Sequence, residues 1–142
     1  MAIELKMLLE MNIGSRLGQF RSIPIDLGDE EENAFLAFYA ADYDIDASIG
    51  MFAYPTDTLK TAVFTERGEV LWQRDLGPGV VPGGAFCPFF AFDLDGDGVE
   101  EIWFVDNLDP AHPFGITSYR LERLDAHSGE TTGRWQWPHY GG

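Results

Sequence analysis

The densest chemistry in the chain lies in one short run, Asp93-Leu94-Asp95-Gly96-Asp97-Gly98-Val99-Glu100-Glu101. Asp93, Asp95 and Asp97 fall at the first, third and fifth places of a loop. Gly98 supplies the sharp turn at the sixth, the Val99 carbonyl falls at the seventh and Glu101 at the ninth. Calcium is a hard cation that collects about six to eight oxygens, and this spacing brings carboxylates and one backbone carbonyl toward a common point. Without a cation these acids repel one another, so a divalent ion would both neutralise and stiffen the loop. Magnesium fits less well, because it keeps more of its water. The twelfth place is Phe104 rather than Glu, and the flanks are rich in strand formers. The loop is therefore not an EF-hand. The competing reading of the same residues is an acidic turn closed by Asp side chains.

A second, less complete copy reads Asp42-Tyr43-Asp44-Ile45-Asp46. Asp42, Asp44 and Asp46 keep the alternate spacing. Ala47 stands where the turn glycine would be, and Gly50 stands in place of the distal acid. Either a second calcium site or a turn held by Asp side-chain hydrogen bonds accounts for it.

Acid–base groups are few. His112 lies in a proline-flanked stretch, His127 at a hairpin tip, and His139 and Tyr140 near the end of the sequence. None forms a recognisable catalytic constellation with its neighbours in sequence, so the catalytic residues stay unassigned. Trp103, Trp135 and Trp137 offer faces either for stacking on sugar or for packing between sheets. Cys87, the one cysteine, sits in an apolar run and reads as a buried, inert thiol.

The elements that must position these residues are strands. Aromatic residues make up 14% of the chain, and 16 glycines and eight prolines punctuate it, a pattern of short strands and turns. Two stretches repeat with Asp42 and Asp93 in register, 51 positions apart: Ala34-Phe35-Leu36-Ala37-Phe38 with its Asp loop, and Ala85-Phe86-Cys87-Pro88-Phe89 with the other. After each loop the sequence predicts a second strand (Met51–Tyr54 or Ile102–Val105) and a third (Thr61–Phe64 or Ser118–Leu124). A Gly turn at Gly68 or Gly129 follows, then a closing strand bearing Trp72 or Trp135.

The expected fold is all-β: two four-stranded antiparallel, propeller-like blades that form part of a larger β-propeller. Residues 34–84 form the first blade-like repeat and 85–142 the second, which holds the calcium loop. Residues 1–33 form an N-terminal segment, a short helix or a strand pairing with a blade: Met1–Met11 reads as a short helix with Ile3, Met7 and Leu8 on one face, and Phe20–Leu27 as a strand ending at Gly28, the segment either packing against the first blade or completing a blade contributed by a missing segment.

With 24 acidic and nine basic residues the net charge is −15, and no basic cluster occurs. That disfavours nucleic acid and anionic membrane as partners. No signal peptide or transmembrane run is visible, so the chain as written reads as soluble and cytoplasmic.

The run Phe92–Ile102 resembles the calcium loop of FG-GAP-type propeller repeats, as in integrin α-subunits and bacterial surface proteins. Arg120–Glu130 followed by Trp135 is similar to the closing hairpin of those blades. Together, over about residues 34–137, they also resemble the propeller of rhamnogalacturonan and ulvan lyases, which are calcium-containing polysaccharide lyases. The resemblance implies bound Ca²⁺, a uronate-containing polysaccharide as partner, and further blades supplied in cis or by oligomerisation. It implies β-elimination as the activity, with a non-catalytic, calcium-stabilised carbohydrate- or protein-binding module as the alternative. No catalytic signature of the lyases matches residue by residue.

Overall fold

The computed structural model describes residues 1–42 and 55–138. Two four-stranded antiparallel sheets account for nearly all the regular structure. The first sheet runs in the order β1 (Gln19–Ile25), β2 (Ala34–Ala40), β3 (Lys60–Thr65) and β4 (Val70–Asp75). The second runs β5 (Phe89–Phe92), β6 (Glu101–Asn107), β7 (Tyr119–Leu124) and β8 (Thr131–Gln136). One short 3₁₀ turn, Ile116–Ser118, precedes β7. No helix among the described residues is long and apolar enough to cross a membrane.

The strands form where β-branched and aromatic residues cluster, and tight glycine turns join them. Gly68 (φ 85°) and Gly129 (φ 73°) close the β3–β4 and β7–β8 hairpins in a backbone region that other residues resist. Each of these two strand pairs also carries one register shift, at Val63/Phe64 in the first sheet and Arg123/Leu124 in the second. The two sheets are thus built to one plan.

That plan corrects two expectations. Residues 1–11 form no helix; they run without regular structure and are mostly exposed. The register of the internal repeat also differs from that of the strands. The Asp93 loop joins the first and second strands of its sheet, but Asp42 follows the second strand of the other, because β1 comes from the segment before residue 34. The motif Ala-Phe-x-x-Phe marks a buried apolar strand without saying which one. It falls on β2, buried on both faces, and just ahead of the short, half-exposed β5. The expected strand Met51–Tyr54 lies outside the described residues.

The sheets pack face to face. Leu36, Phe38 and Val63 of the first meet Ile102, Phe104 and Leu124 of the second, all fully buried. Each such side chain contributes about 1.5–3 kcal/mol. Phe38 stacks on Phe89 with ring centroids 4.0 Å apart. Trp72 of β4 crosses the gap, donates its Nε1–H to the Ala126 carbonyl (2.8 Å) and lies flat over Gly129. A Cβ there would sit 2.4 Å from the indole.

A buried ionic cluster ties the sheets together. Glu122 of β7 is 0% exposed. Its Oε1 accepts from Arg74 of the opposite sheet (3.1 Å) and from the Thr131 hydroxyl, and its Oε2 accepts from Arg134 Nε (3.0 Å). Arg74 also donates to the Gly129 carbonyl and to Thr131 Oγ1. Asp106, on the same face, is the odd member: burial, then its hydrogen bond and repulsion from Glu122, push its carboxyl up to about 6. Burial also pushes Glu122 upward, but Asp106, Arg134 and Thr131 together hold it below the usual range.

Two outcomes follow. Gly129→Ala should lower stability by about 2–3 kcal/mol in urea titration, since it combines overpacking against Trp72 with a strained backbone. Asp106 binds its proton more tightly folded than unfolded. Its contribution is therefore complete below about pH 4 and is lost as pH rises through about 6. Asp106→Asn, which keeps a donor toward Glu122, should match the parent near pH 4 and exceed it by on the order of 2 kcal/mol at pH 7.5. Parallel pH–stability curves for the two proteins would refute this.

Candidate metal centre

The loop from Asp93 to Glu100 reverses the chain between β5 and β6, and Glu101 is the first residue of β6. The turn is made by glycine: Gly96 (φ 76°) and Gly98 (φ 92°) both sit with open space where a Cβ would be. Asp93 organises it. Its Oδ1 accepts from the amides of Gly96 (2.7 Å) and Asp97 (3.2 Å), and its Oδ2 from Gly98 (2.9 Å). Asp95 Oδ1 accepts a second bond from the Asp97 amide, and Glu101 Oε2 accepts from Leu94. These bonds give the loop its shape with side-chain oxygens turned inward.

Asp93, Asp95 and Glu101 each offer one carboxylate oxygen, and these oxygens lie within 4.8 Å of one another. No cation pairs with them: the ion pairs among the described residues involve Lys60, Arg67, Arg74, His112 and Arg134, each with other acids. Three convergent oxygens of hard, anionic type fit calcium, with the loop backbone and water left to complete the shell. Asp97 stands apart from the three; its Oδ1 accepts from the Val99 amide (2.8 Å) and caps the turn. Val99 places its side chain toward Gly28 of the neighbouring loop.

That neighbouring loop, between β1 and β2, braces the centre. The Glu100 amide donates to the Asp26 carbonyl (2.8 Å), and the Asp26 amide donates to Glu100 Oε2 (2.9 Å). A groove of about 680 Å³ beside it is rimmed by Asp26, Asp29, Glu30, Glu32 and Glu100. His127 joins the same end, its Nε2 3.1 Å from the Leu27 carbonyl. It holds two loops together.

In the other Asp loop, Asp42 is committed to a turn. Its Oδ2 accepts from the amides of Thr56 and Asp57 (2.7 Å each) and its Oδ1 from the Thr56 hydroxyl (2.9 Å). The Asp57 amide, with Thr56, holds its carboxyl below the usual range against a smaller push from burial. Asp44 and Asp46 lie outside the described residues, as do His139 and Tyr140.

His112 lies at the opposite end of the sheets, in the loop between β6 and β7. Its Nδ1 is 2.7 Å from Asp109 Oδ2, its side chain is 74% exposed, and the hydrogen bond from His112 holds Asp109 below the usual range. Asn107 fixes this loop, donating to the carbonyls of Gly79 and His112 and accepting from the Asp109 amide and the Ser118 hydroxyl. Only the pairing of Asp109 with His112 at three residues' distance was readable from sequence, and it was not singled out there. β6, about 20 Å long at 3.3 Å per residue, separates this pair from the acidic centre.

Of the tryptophans, Trp103 is buried under Trp135 (centroids 5.5 Å) and beside Phe90 (6.2 Å), with Arg123 over both indoles. Trp137 follows β8, its amide donating to the Tyr119 carbonyl. Cys87 is fully buried, and burial pushes its thiol up to about 12, which leaves it inert.

No protein-family model matches the chain, and no curated protein matches it. Among solved structures it is similar to the exotype rhamnogalacturonan lyase YesX (18% identity, TM-score 0.62), with 83% of this chain covering 23% of that one. It is similar also to rhamnogalacturonan lyase YesW (16% identity, TM-score 0.66, 83% of this chain and 24% of that one). A third is a Bacillus licheniformis rhamnogalacturonan lyase (13% identity, TM-score 0.68, 88% and 26%). The chain spans about a quarter of the length of each, and what it shares with them is the fold.

Proposed function

We propose that this chain forms two blades of a calcium-binding β-propeller in a polysaccharide lyase-like protein acting on rhamnogalacturonan or a similar uronate-containing glycan. The observation that carries the reading is that more than four-fifths of the chain matches each of three rhamnogalacturonan lyases in fold. The convergence of Asp93, Asp95 and Glu101 supports the calcium part, and the matching hairpins and register shifts of the two sheets support their reading as repeated blades.

Asp93, Asp95 and Glu101, with Asp97 and the Val99 carbonyl at the turn, would hold calcium in a structural task, where it would cancel the repulsion of the loop and stiffen the reversal from β5 to β6. These carboxylates lie at the opposite end of β6 from His112, so the two would not act on the same bond. In β-elimination a base removes the proton α to the uronate carboxylate, its electron pair forms the new double bond, and the C–O bond to the leaving sugar breaks as that oxygen is protonated. His112, with Nδ1 on Asp109 and Nε2 open to solvent, has the geometry of the base. The alternative is a non-catalytic binding module, favoured by the commitment of the polar groups around His112 to the loop itself, Asp109 to His112 Nδ1 and the Tyr119 hydroxyl to the Pro113 carbonyl.

Calcium should raise the melting temperature relative to a chelator-treated sample, by an amount equivalent to about 2–3 kcal/mol at a hundredfold excess over Kd. Asp93→Ala and Asp95→Ala should each abolish the difference, while Asp97→Ala should only reduce it. Superimposable melting curves with calcium and with chelator would remove the metal from the reading. With rhamnogalacturonan, ultraviolet absorbance from unsaturated product should grow, and His112→Ala should slow it by about 100-fold or more. Flat absorbance with retention on the immobilised glycan would leave the binding module.

A further inference from the structure

The two sheets mate through one face each, which leaves two outer faces, and the chain treats them differently. The outer face of the first sheet, with Ala37, Tyr39, Ala62 and Phe64, is covered by the chain's own N-terminal segment: Met11 and Ile13 pack on it, and Leu9 reaches the β3–β4 hairpin. A Cβ on Gly68 would come within 2.9 Å of Leu9 Cδ1, so Leu9 occupies at Gly68 the place that Trp72 occupies at Gly129. Backbone takes part as well, for Gln73 Nε2 of the outer face donates to the Ile13 carbonyl (2.7 Å).

The outer face of the second sheet has no such cover among the described residues. Phe90, Phe92 and Trp135 are 48%, 55% and 45% exposed on it. Beneath them Trp103 is 5% exposed, yet its buried Nε1–H has no acceptor. A buried donor left unpaired is costly, and a carbonyl supplied from outside would relieve it. The covering segment meanwhile continues past the first sheet with the same alternation. Leu9, Met11 and Ile13 face the sheet, and Ile3, Leu5 and Met7, the earlier members of that series, are 85%, 91% and 73% exposed, with Glu4, Lys6 and Glu10 on the other side. Only Leu8 breaks the pattern.

We infer that residues 3–7 of one chain lie across the outer face of the second sheet of another copy, Ile3, Leu5 and Met7 on the Phe90–Phe92–Trp135 surface, with a backbone carbonyl of the segment accepting from Trp103 Nε1. The contact is heterologous, since segment and face are different surfaces, so copies join head to tail. A four-stranded face of this length projects roughly 400 Å², about half of what one partner gives to a stable interface of about 800 Å² a side. The contact is therefore a weak one that forms at high protein concentration. Each copy carries a charge of −15, so association strengthens as salt screens the repulsion.

Sedimentation equilibrium of the full chain over a micromolar to millimolar range tests this. The weight-average mass should rise at least twofold above the monomer, more readily at 0.5 M than at 0.05 M salt. The triple variant Ile3→Ser, Leu5→Ser, Met7→Ser changes only exposed side chains and should stay monomeric, as should Phe92→Ser with Trp135→Ser. Trp103→Phe, which removes the N–H at some cost in monomer melting temperature, should weaken association under conditions where the monomer stays folded. An equimolar mixture of the two monomeric variants should form a one-to-one heterodimer, one giving its intact segment and the other its intact face. A monomer at every concentration, association that survives both variants, or a mixture that stays monomeric would each overturn the inference. So would a rhamnogalacturonan oligosaccharide that quenches tryptophan fluorescence of the monomer through Trp135, which would give the face to sugar. None of these readouts depends on calcium or on lyase activity.

Discussion

Glu122 is a carboxylate with no access to water, and the way the two sheets meet follows from what it needs. Taking it out of solvent costs several kcal/mol, which is offset only if its oxygens are fully matched with cations and donors. Arg134 comes from the adjacent strand and Thr131 from the same hairpin, but Arg74 comes from the other sheet. An apolar interface of Phe, Leu and Ile would tolerate sliding, because dispersion is not directional. The guanidinium of Arg74, reaching Glu122, Thr131 and the Gly129 carbonyl at once, is satisfied in one register only. Trp72, two residues earlier on the same strand, then fits against the tip of the facing hairpin, where Gly129 has no side chain.

That register decides which loops become neighbours. The β1–β2 loop is set beside the Asp93 loop closely enough for Asp26 and Glu100 to exchange two hydrogen bonds, and the chain's acidity accumulates at this end. Surface carboxylates normally disperse into solvent. Here three are bent inward by amides of their own loop, so the repulsion is held in the fold rather than relaxed. A divalent cation held there, as proposed, would cancel that repulsion. The His112 loop faces the other end, fastened by the Asn107 amide together with the Asp109–His112 contact. One end of the stack thus gathers carboxylates, whereas the other holds its loop by a neutral amide and an acid–histidine pair.

Much of this was legible in the sequence for reasons that are local. The Asp93 loop is visible because its ligands are contiguous, and strands β3, β4, β6 and β7 because aromatic and branched residues run between glycine turns. Spacing puts Asp97 with Asp93 and Asp95, and what spacing does not show is that its Oδ1 also accepts from the Val99 amide. Arg74, Asp106, Glu122 and Arg134 could not be found, since three of them look like ordinary surface charges on alternating strands and their partnership spans 48 positions. The opening residues were read at helical spacing through Ile3, Met7 and Leu8. The same stretch alternates at period two through Ile3, Leu5, Met7, Leu9 and Met11, and with so many apolar residues both periods match. What separated them was a sheet face to lie on, and no window of sequence contains that.

The treatment of the two outer faces shows how a stack of sheets ends. An apolar face on a four-stranded sheet has to be covered by something, and the inner interface sets the specification: a bulky side chain over the hairpin glycine and an acceptor for each buried donor. On the first sheet an irregular segment meets it, with Leu9 in place of an indole and a backbone carbonyl for Gln73. A tryptophan on a rigid strand and a leucine on an extended strap therefore satisfy the same surface, the first with more buried area and the second with more freedom to leave. Trp135 of the second sheet folds back over Gly133 and Trp103, shielding part of its own face while still half exposed. This partial self-cover keeps Trp103 out of water but cannot supply the carbonyl its N–H lacks, because an indole has no acceptor to give.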